Sequence, residues 1–394
     1  MTVTAKSDES ARLEADLVQA AIDLVPQLAE RADEAELLRR LPDETVADLQ
    51  AAGITTALAP RRHGGAQLPL DQFGQMIEEL AVGCGSTAFV ASVYASVGYV
   101  SALFPDEAQD DIYGSDNSLG ILVFTPGGGA TPVDGGYTLS GKWFFCSGQH
   151  HAGWALLAAM ITTEDGGFDV GVCAVPRADC VSGNDWDVTG LIATGSDSLS
   201  VTDAFVPHHR VLRVEHLMQG RAASELTRVD PYYRSLPMLT LGAGFVGAPL
   251  GLARRALDSL SASIQKRAIA YTLYLRQADA TVTHLQMAEA TMKLDQARFH
   301  SQRIIDTALL GDEVDLITRW RSRADGAWGI RLCREVGDIV EAASGASALR
   351  RSDPLPRTIR DLHALALHAL FLESTLNEMY GKVLCGIDPG IPFA

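Results

Sequence analysis

Gly135-Gly-Tyr-Thr-Leu-Ser-Gly-Lys-Trp143-Phe-Phe-Cys-Ser-Gly-Gln-His-His-Ala-Gly-Trp154 is the stretch on which the reading of the fold turns. A glycine pair opens it, and the run Tyr137 to Cys146 is rich in residues that suit a pleated, half-buried surface, so it reads as a strand bounded by turns. Similar short runs stand on either side: Leu119 to Phe124, Trp154 to Ile161 and Val170 to Val175. Gly127-Gly128-Gly129 and Gly166-Gly167 punctuate them. Between about Leu119 and Val206 the chain therefore predicts an antiparallel β meander or barrel.

Outside that region the period changes to 3.6. Leu13, Leu17, Ala20, Ala21 and Leu24 form one stripe, and Asp43 reads as the cap of a helix through Val46 and Leu49 that Gly53 closes. Leu80 to Pro105 carries no charged side chain and is long enough to span a bilayer. Acidic flanks (Glu78, Glu79, Asp106, Glu107) and the serines within it point instead to a helix buried on all sides. Helical periodicity returns after Pro237, from Ala280 to Leu310, from Leu316 to Ala343 and again beyond Pro356. The fold class is α+β, mainly α. Its expected parts are an N-terminal helical domain (1–117), a central β domain (118–212) and a C-terminal helical bundle (213–394).

The 32 basic and 49 acidic residues give a net charge of −17, which disfavours nucleic acid and anionic lipid as partners. With 47% hydrophobic and 21% charged residues, the chain has an ordinary globular balance. The six cysteines show no paired spacing, and the polar start Met-Thr-Val-Thr-Ala-Lys-Ser lacks a signal peptide's layout and reads as a frayed tail. These features predict reduced thiols and a cytoplasmic protein.

Motifs that stand alone are poor guides here. Gly242-Ala-Gly244-Phe-Val-Gly247 matches the dinucleotide fingerprint, yet Asp258 falls in the same helical pattern, so close helix packing explains these small residues better. His150 and His151, placed at a strand end, should point to opposite sides, and His363 and His368 are five apart. Neither pair has the spacing of a metal site, and no metal is expected.

Taken in order, Pro60-Arg-Arg-His-Gly64-Gly65, Cys84-Gly-Ser-Thr87, Leu103-Phe-Pro-Asp-Glu-Ala108, Gly136-Tyr-Thr-Leu-Ser-Gly141-Lys-Trp143, Thr194-Gly-Ser-Asp197 with Val206-Pro207, and Arg360-Asp361 resemble the acyl-CoA dehydrogenase superfamily over nearly the whole chain. The resemblance implies a helical domain, a β-barrel-like domain and a four-helix bundle, with flavin between barrel and bundle. Typical dehydrogenases of this superfamily carry a catalytic Glu eight residues after the Asp of the Arg-Asp pair; Ala369 stands there in this chain. Cys146-Ser-Gly-Gln-His-His151-Ala-Gly-Trp154 and the pattern Arg-Asp-x-His-x-x-x-x-His instead resemble the two-component (group D) flavin-dependent monooxygenases of the fold. That branch includes the oxygenase component of p-hydroxyphenylacetate 3-hydroxylase and indole-ring oxygenases of terpenoid biosynthesis.

From this resemblance come the candidate site residues. His368 is the candidate base, since histidine titrates in the useful range; a structural histidine bonded to a carbonyl would read the same way. Ser147 is the candidate contact to flavin N5 or C4a, unless its hydroxyl satisfies its own turn, and His151 is a weaker candidate to orient substrate or Ser147. Thr125, Phe145, Cys146 and Trp154 are expected at the flavin. Arg276 and Gly345 are expected at the flavin phosphates of a neighbouring subunit. Tyr94, Val97, Phe144 and His363 are expected at the substrate. Val97 replaces a histidine common among aromatic hydroxylases of the family, which suggests a more apolar pocket.

The function so implied is reduced-flavin-dependent monooxygenation through a C4a-hydroperoxide, hydroxylating an aromatic or indole-like small molecule. FAD, as FADH2, is the expected cofactor, with FMN the alternative. The expected partners are a separate flavin reductase, dioxygen and further copies in a homo-oligomer, a tetramer or at least a dimer. N-oxygenation of an amino sugar, a dehydrogenase with a displaced base, and a scaffold that has lost flavin stay open as other readings.

Overall fold

The computed structural model describes residues 2–163 and 167–391, without the side chains of residues 2–16 and 312, so Gly166 and the side chain of Leu13 lie outside the described residues. Five helices come first: α1 (Thr2–Leu38), α2 (Asp43–Ala51), α3 (Leu70–Gly83), α4 (Gly85–Ala102) and α5 (Asp106–Tyr113). The polar start, expected to fray, is helical from Thr2. On α1 the face of Leu17, Ala21 and Leu28 is buried. Asp43 is the first residue of α2 and makes no cap bond; its carboxylate pairs with Arg40 and with His151 at 2.9 Å. Gly53, at φ +75°, turns the chain after α2 in the left-handed region that glycine adopts without strain. Helix α4 is buried along its whole length, among α3, α8 and the sheet. No helix among the described residues is long and apolar enough to cross a membrane.

Eight strands follow among the described residues: β1 (Gly120–Val123), β2 (Gly128–Val133), β3 (Gly136–Trp143), β4 (Trp154–Thr162), β5 (Phe168–Pro176), β6 (Cys180–Ser182), β7 (Leu199–Pro207) and β8 (Val211–Arg213). They form one sheet in the order β6-β7-β3-β2-β4-β5-β8, with β1 also on β4. Two expectations need correction. Gly128 and Gly129 belong to a strand, not a turn, and lie opposite Gly141 and Ser140 of β3. The sheet is also mixed, because β1 and the start of β2 run parallel to β4. A Cβ on Gly128 would meet the Ser140 carbonyl oxygen at 2.3 Å, so this glycine allows a backbone approach that a side chain would block.

Two short helices, α6 (Val214–Met218) and α7 (Glu225–Val229), lead to the bundle: α8 (Pro237–Ile264), α9 (Thr281–Ala308), α10 (Leu316–Ser344), α11 (Leu355–Leu365) and α12 (Glu373–Leu384). The dinucleotide-like glycines sit inside α8, against α3. A Cβ on Gly244 would meet the Phe73 ring at 2.3 Å, and one on Gly247 the Gly74 carbonyl oxygen at 2.5 Å, so the spacing serves helix packing. The helical pattern beyond Pro356 is broken between α11 and α12, where residues 366–372 form a tight turn that carries His368.

Candidate active site

A cavity of about 680 Å³ opens between the sheet, α4 and the bundle. One wall comes from the end of β1 with Thr125, from the segment Phe144–Ser147 after β3, and from the loop 186–196. The other comes from Phe89, Val93 and Ser96 on α4, Leu241 and Phe245 on α8, and the turn at His368. Such a volume, largely apolar with a few convergent polar groups, is that of a small-molecule site.

The first wall is a hydrogen-bonded construction. Trp143 ends β3 buried, with its indole donating to the Ala158 carbonyl at 2.6 Å. Phe145 then takes φ +61°, a left-handed backbone uncommon for an aromatic residue, and leaves its ring 72% exposed against Trp186, edge-on at 6.0 Å. Ser147 Oγ lies 2.7 Å from Ser196 Oγ, which lies 2.7 Å from Thr194 Oγ1, whose hydroxyl donates to the Leu191 carbonyl at 2.8 Å. Gly148 N–H donates to the Thr194 carbonyl at 2.9 Å, and His150 Nε2 meets Asp197 Oδ2 at 2.8 Å. The motif Thr194-Gly-Ser-Asp197 is thus the frame that fixes the Ser147 loop.

Arg360-Asp361 fastens that frame to the bundle. Asp361, fully buried, accepts the Leu191 N–H at 2.6 Å. Arg360 donates to the Thr189 carbonyl at 2.8 Å and pairs with Glu36 at 2.7 Å. Burial pushes the Asp361 carboxyl up to about 7.

The second wall is an aromatic box. The His368 ring lies 5.3 Å from Phe245, 5.6 Å from Phe89 and 6.2 Å from Phe371. Its Nδ1 accepts the Leu370 N–H at 3.3 Å, so the neutral ring carries its proton on Nε2, which has no partner among the described residues. Burial, then the charge of Arg323, pushes the imidazole down to about 4. With Nδ1 engaged by the Leu370 N–H and the imidazole shifted down, the arrangement favours an uncharged ring with its proton on Nε2.

Of the other expected residues, Thr125, Phe144, Phe145 and His363 line the cavity, with His363 also 2.9 Å from Asp338. Tyr94 and Val97 do not. Tyr94 is buried and donates to the Gly148 carbonyl at 2.7 Å, holding the Ser147 loop from behind, and Val97 packs against Gly120. Their helix presents Phe89, Val93 and Ser96 instead. Cys146 is buried with its thiol toward the Trp143 carbonyl at 3.4 Å. Trp154 turns to Ser115 Oγ at 3.0 Å and lies under Arg210. His151 faces away as well, between Asp43 and Arg40 in a separate pocket against α2. Residues 147–151 form tight turns, so the strand alternation that would have aimed His151 does not apply. Arg276 and Gly345 lie outside this chain's cavity, close to one another: Gln277 donates to the Ala343 carbonyl at 2.9 Å, and Arg267 to the Ser344 carbonyl. The site residues that sequence reasoning missed are Ser196, Trp186, Phe89, Phe245 and Arg323. Only Ser196 had a signal, inside a motif already recognised.

These residues fit a flavin ring system. Exposed aromatic faces at Phe144 and Phe145 suit a flat apolar ring, and the Ser147 and Ser196 hydroxyls can meet its polar edge. Comparison with known proteins agrees. The family model for the acyl-CoA dehydrogenase N-terminal domain matches residues 12–114, and that for the C-terminal domain matches 243–373. The oxygenase subunit HsaA of a flavin-dependent monooxygenase from Rhodococcus jostii (strain RHA1) is 35% identical over 91% of this chain and 95% of its own. The oxygenase component of p-hydroxyphenylacetate 3-hydroxylase from Acinetobacter baumannii is 28% identical over 93% of this chain and 88% of its own. Among solved structures, XiaF from Streptomyces sp., in complex with FADH2 and glycerol, superposes with a TM-score of 0.91 at 27% identity, covering 98% of this chain and 99% of its own. The chain belongs to the acyl-CoA dehydrogenase superfamily, among the oxygenase components of two-component flavin-dependent monooxygenases.

Proposed function

We propose that this protein takes FADH2 from a separate reductase and uses it with dioxygen to hydroxylate an aromatic or indole-like small molecule in the apolar part of the cavity. The observation that carries this reading is the cavity itself: hydroxyls on one wall, a histidine in an aromatic box on the other, and Ala369 where a dehydrogenase holds its carboxylate. Reduced flavin, when bound, supplies the electrons that let one atom of dioxygen enter the substrate while the other leaves as water. Ser147, steadied by Ser196 and Thr194, offers a hydroxyl to the edge of the ring, and Phe144 and Phe145 cover it from water. His368 offers Nε2–H to an oxygen-bearing partner at the boundary between cofactor and substrate, where a preorganised donor stabilises developing negative charge. Phe89, Val93 and Phe245 receive a flat apolar substrate.

FAD is favoured over FMN by the neighbouring-subunit role proposed for Arg276 and Gly345. Both stand on one surface away from this chain's own cavity, beside a segment in which Tyr271, Leu273 and Leu275 are almost wholly exposed. A homotetramer would cover those side chains and bring Arg276 to a neighbour's pyrophosphate, for which its planar donors are suited.

The test supplies chemically reduced FAD and isotopically labelled dioxygen with indoles, phenols and amino sugars in turn. Incorporation of label into an aromatic product supports the reading. Bleaching of bound oxidised flavin by an acyl-CoA, without label incorporation, would overturn it in favour of a dehydrogenase.

A further inference from the structure

Arg323 is a buried cation without a counter-ion. It lies on α10, 5% exposed, and no carboxylate pairs with it among the described residues. Its Nη2 donates to the Leu370 carbonyl at 2.8 Å, Nη1 reaches Met238 Sδ at 3.6 Å, and the guanidinium lies 5.5 Å from the Phe371 ring centroid. Its Nε has no partner among the described residues. Burying an unpaired charge costs stability, and an apolar side chain of similar volume would pack there at less cost. A charge retained against that penalty needs a reason in the chemistry beside it.

That neighbour is His368. Leu370 joins the two, giving its N–H to His368 Nδ1 and its carbonyl to Arg323. The other elements packed on the ring present uncharged faces: Phe89 from α4, Phe245 from α8 and Phe371 from the turn. The charged groups of α11 have partners of their own, Arg357 with Asp33, Arg360 with Thr189 and Glu36, Asp361 with the Leu191 N–H and His363 with Asp338, while Arg360, His363 and Glu341 of α10 line the same cavity. Arg323 is thus the charge set behind the imidazole.

We infer that Arg323 is a positioning residue for the site: it clamps the 368–371 turn and places a positive charge behind His368, so that the ring stays uncharged and presents Nε2–H to the cavity. The low imidazole pKa, near 4, agrees with this geometry. A protonated ring would need both nitrogens as donors, and Nδ1 would then face the Leu370 N–H. The clamp and the charge therefore act in the same direction. Its bearing on hydroxylation rests on the function proposed above; the state of the ring does not.

The experiment is a histidine NMR titration of the full chain carrying isotope-labelled histidine, with His368→Asn used to assign the signal. In the unsubstituted protein the ring should be the Nε2–H tautomer at neutral pH and should not titrate until close to pH 4. Arg323→Met removes the charge and should raise the midpoint by about one unit, the lower end of what a neighbouring charge does. Arg323→Lys should keep the midpoint low. An Nδ1–H tautomer in the unsubstituted protein would overturn the inference without any variant, and so would a midpoint that Arg323→Met leaves in place. In the hydroxylation assay the acid limb should move up with the midpoint in Arg323→Met. Lost turnover with an unmoved ring would reduce Arg323 to a structural residue. Failure to hydroxylate any compound, with the ring behaving as described, would defeat the proposed function alone.

Discussion

Ser147 and His368 face the same cavity, yet the walls that hold them are built differently. Ser147 sits in a polar frame: hydroxyl to hydroxyl through Ser196 and Thr194, backbone to backbone at Gly148, and imidazole to carboxylate at His150 and Asp197. His368 sits among three phenylalanine rings, with one backbone hydrogen bond and one uncompensated charge. The first wall fixes geometry through many bonds of modest individual worth. The second sets the electrostatics of a half-buried ring by apolar packing and one cation near it. A site for reduced flavin and dioxygen needs both: a steady contact to the cofactor, and a donor that keeps its proton.

If this contrast is right, substitutions in the two walls should fail in different ways. The largest expected effect is Phe245→Ala in the aromatic box. Phe245 is 7% exposed, and truncating such a ring costs roughly 3–5 kcal/mol, to be read from urea unfolding. A cost below about 1 kcal/mol would mean the box is not a packed unit.

Next is Asp361→Asn, at the joint between the walls. Burial holds the carboxyl near 7, so the folded protein keeps this proton to higher pH than the unfolded chain, whose carboxyl ionises near 3.8. The stability linked to this group is present below that lower value and is lost as pH rises through 7. Asparagine still accepts the Leu191 N–H and cannot ionise, so the variant should be more stable than the parent at pH 8, by on the order of 4 kcal/mol. The two should converge near pH 4. Parallel stability curves for the two proteins would contradict the raised pKa.

Ser147→Ala sharpens the polar side. One neutral hydrogen bond is worth roughly 0.5–1.5 kcal/mol, so unfolding should shift little while reduced-flavin affinity falls about 5-fold and more peroxide forms per turnover. Unchanged affinity and coupling would remove Ser147 from the cofactor contact. Smallest for the fold is Arg276→Ala, where only an exposed pair with Asp279 is lost. Thermal unfolding should not move, while affinity should fall for FAD more than for FMN. An equal loss for both cofactors would contradict the pyrophosphate role.

The same contrast explains what could be read from the sequence. The polar wall is local: Thr194-Gly-Ser-Asp197 and Cys146-Ser-Gly are contiguous motifs, so Ser147 could be named and Ser196 lay in plain view. The aromatic wall draws Phe89, Phe245, Arg323 and Phe371 from four distant elements, and no spacing links them. Tyr94 and Val97 were assigned to the wrong face because α4 is buried on every side, which erases the period that tells one face from another. Arg323 lay hidden in Arg-Ser-Arg-Ala-Asp, a run that reads as the solvated side of a helix. The helix order was legible, as were the runs that became β1, β3, β4 and β5. Strand β2 was not, because its glycines look like a turn until the opposing backbone is known, and parallel pairing with β4 depends on register between distant segments.

The most direct test of the central claim mixes the protein anaerobically with FADH2, then with oxygenated buffer, while absorbance is followed. The account predicts a transient species absorbing to the blue of oxidised flavin, outlasting that of free FADH2 and shortened by Ser147→Ala. Immediate appearance of oxidised flavin at the rate of free FADH2, with and without an indole present, would contradict it.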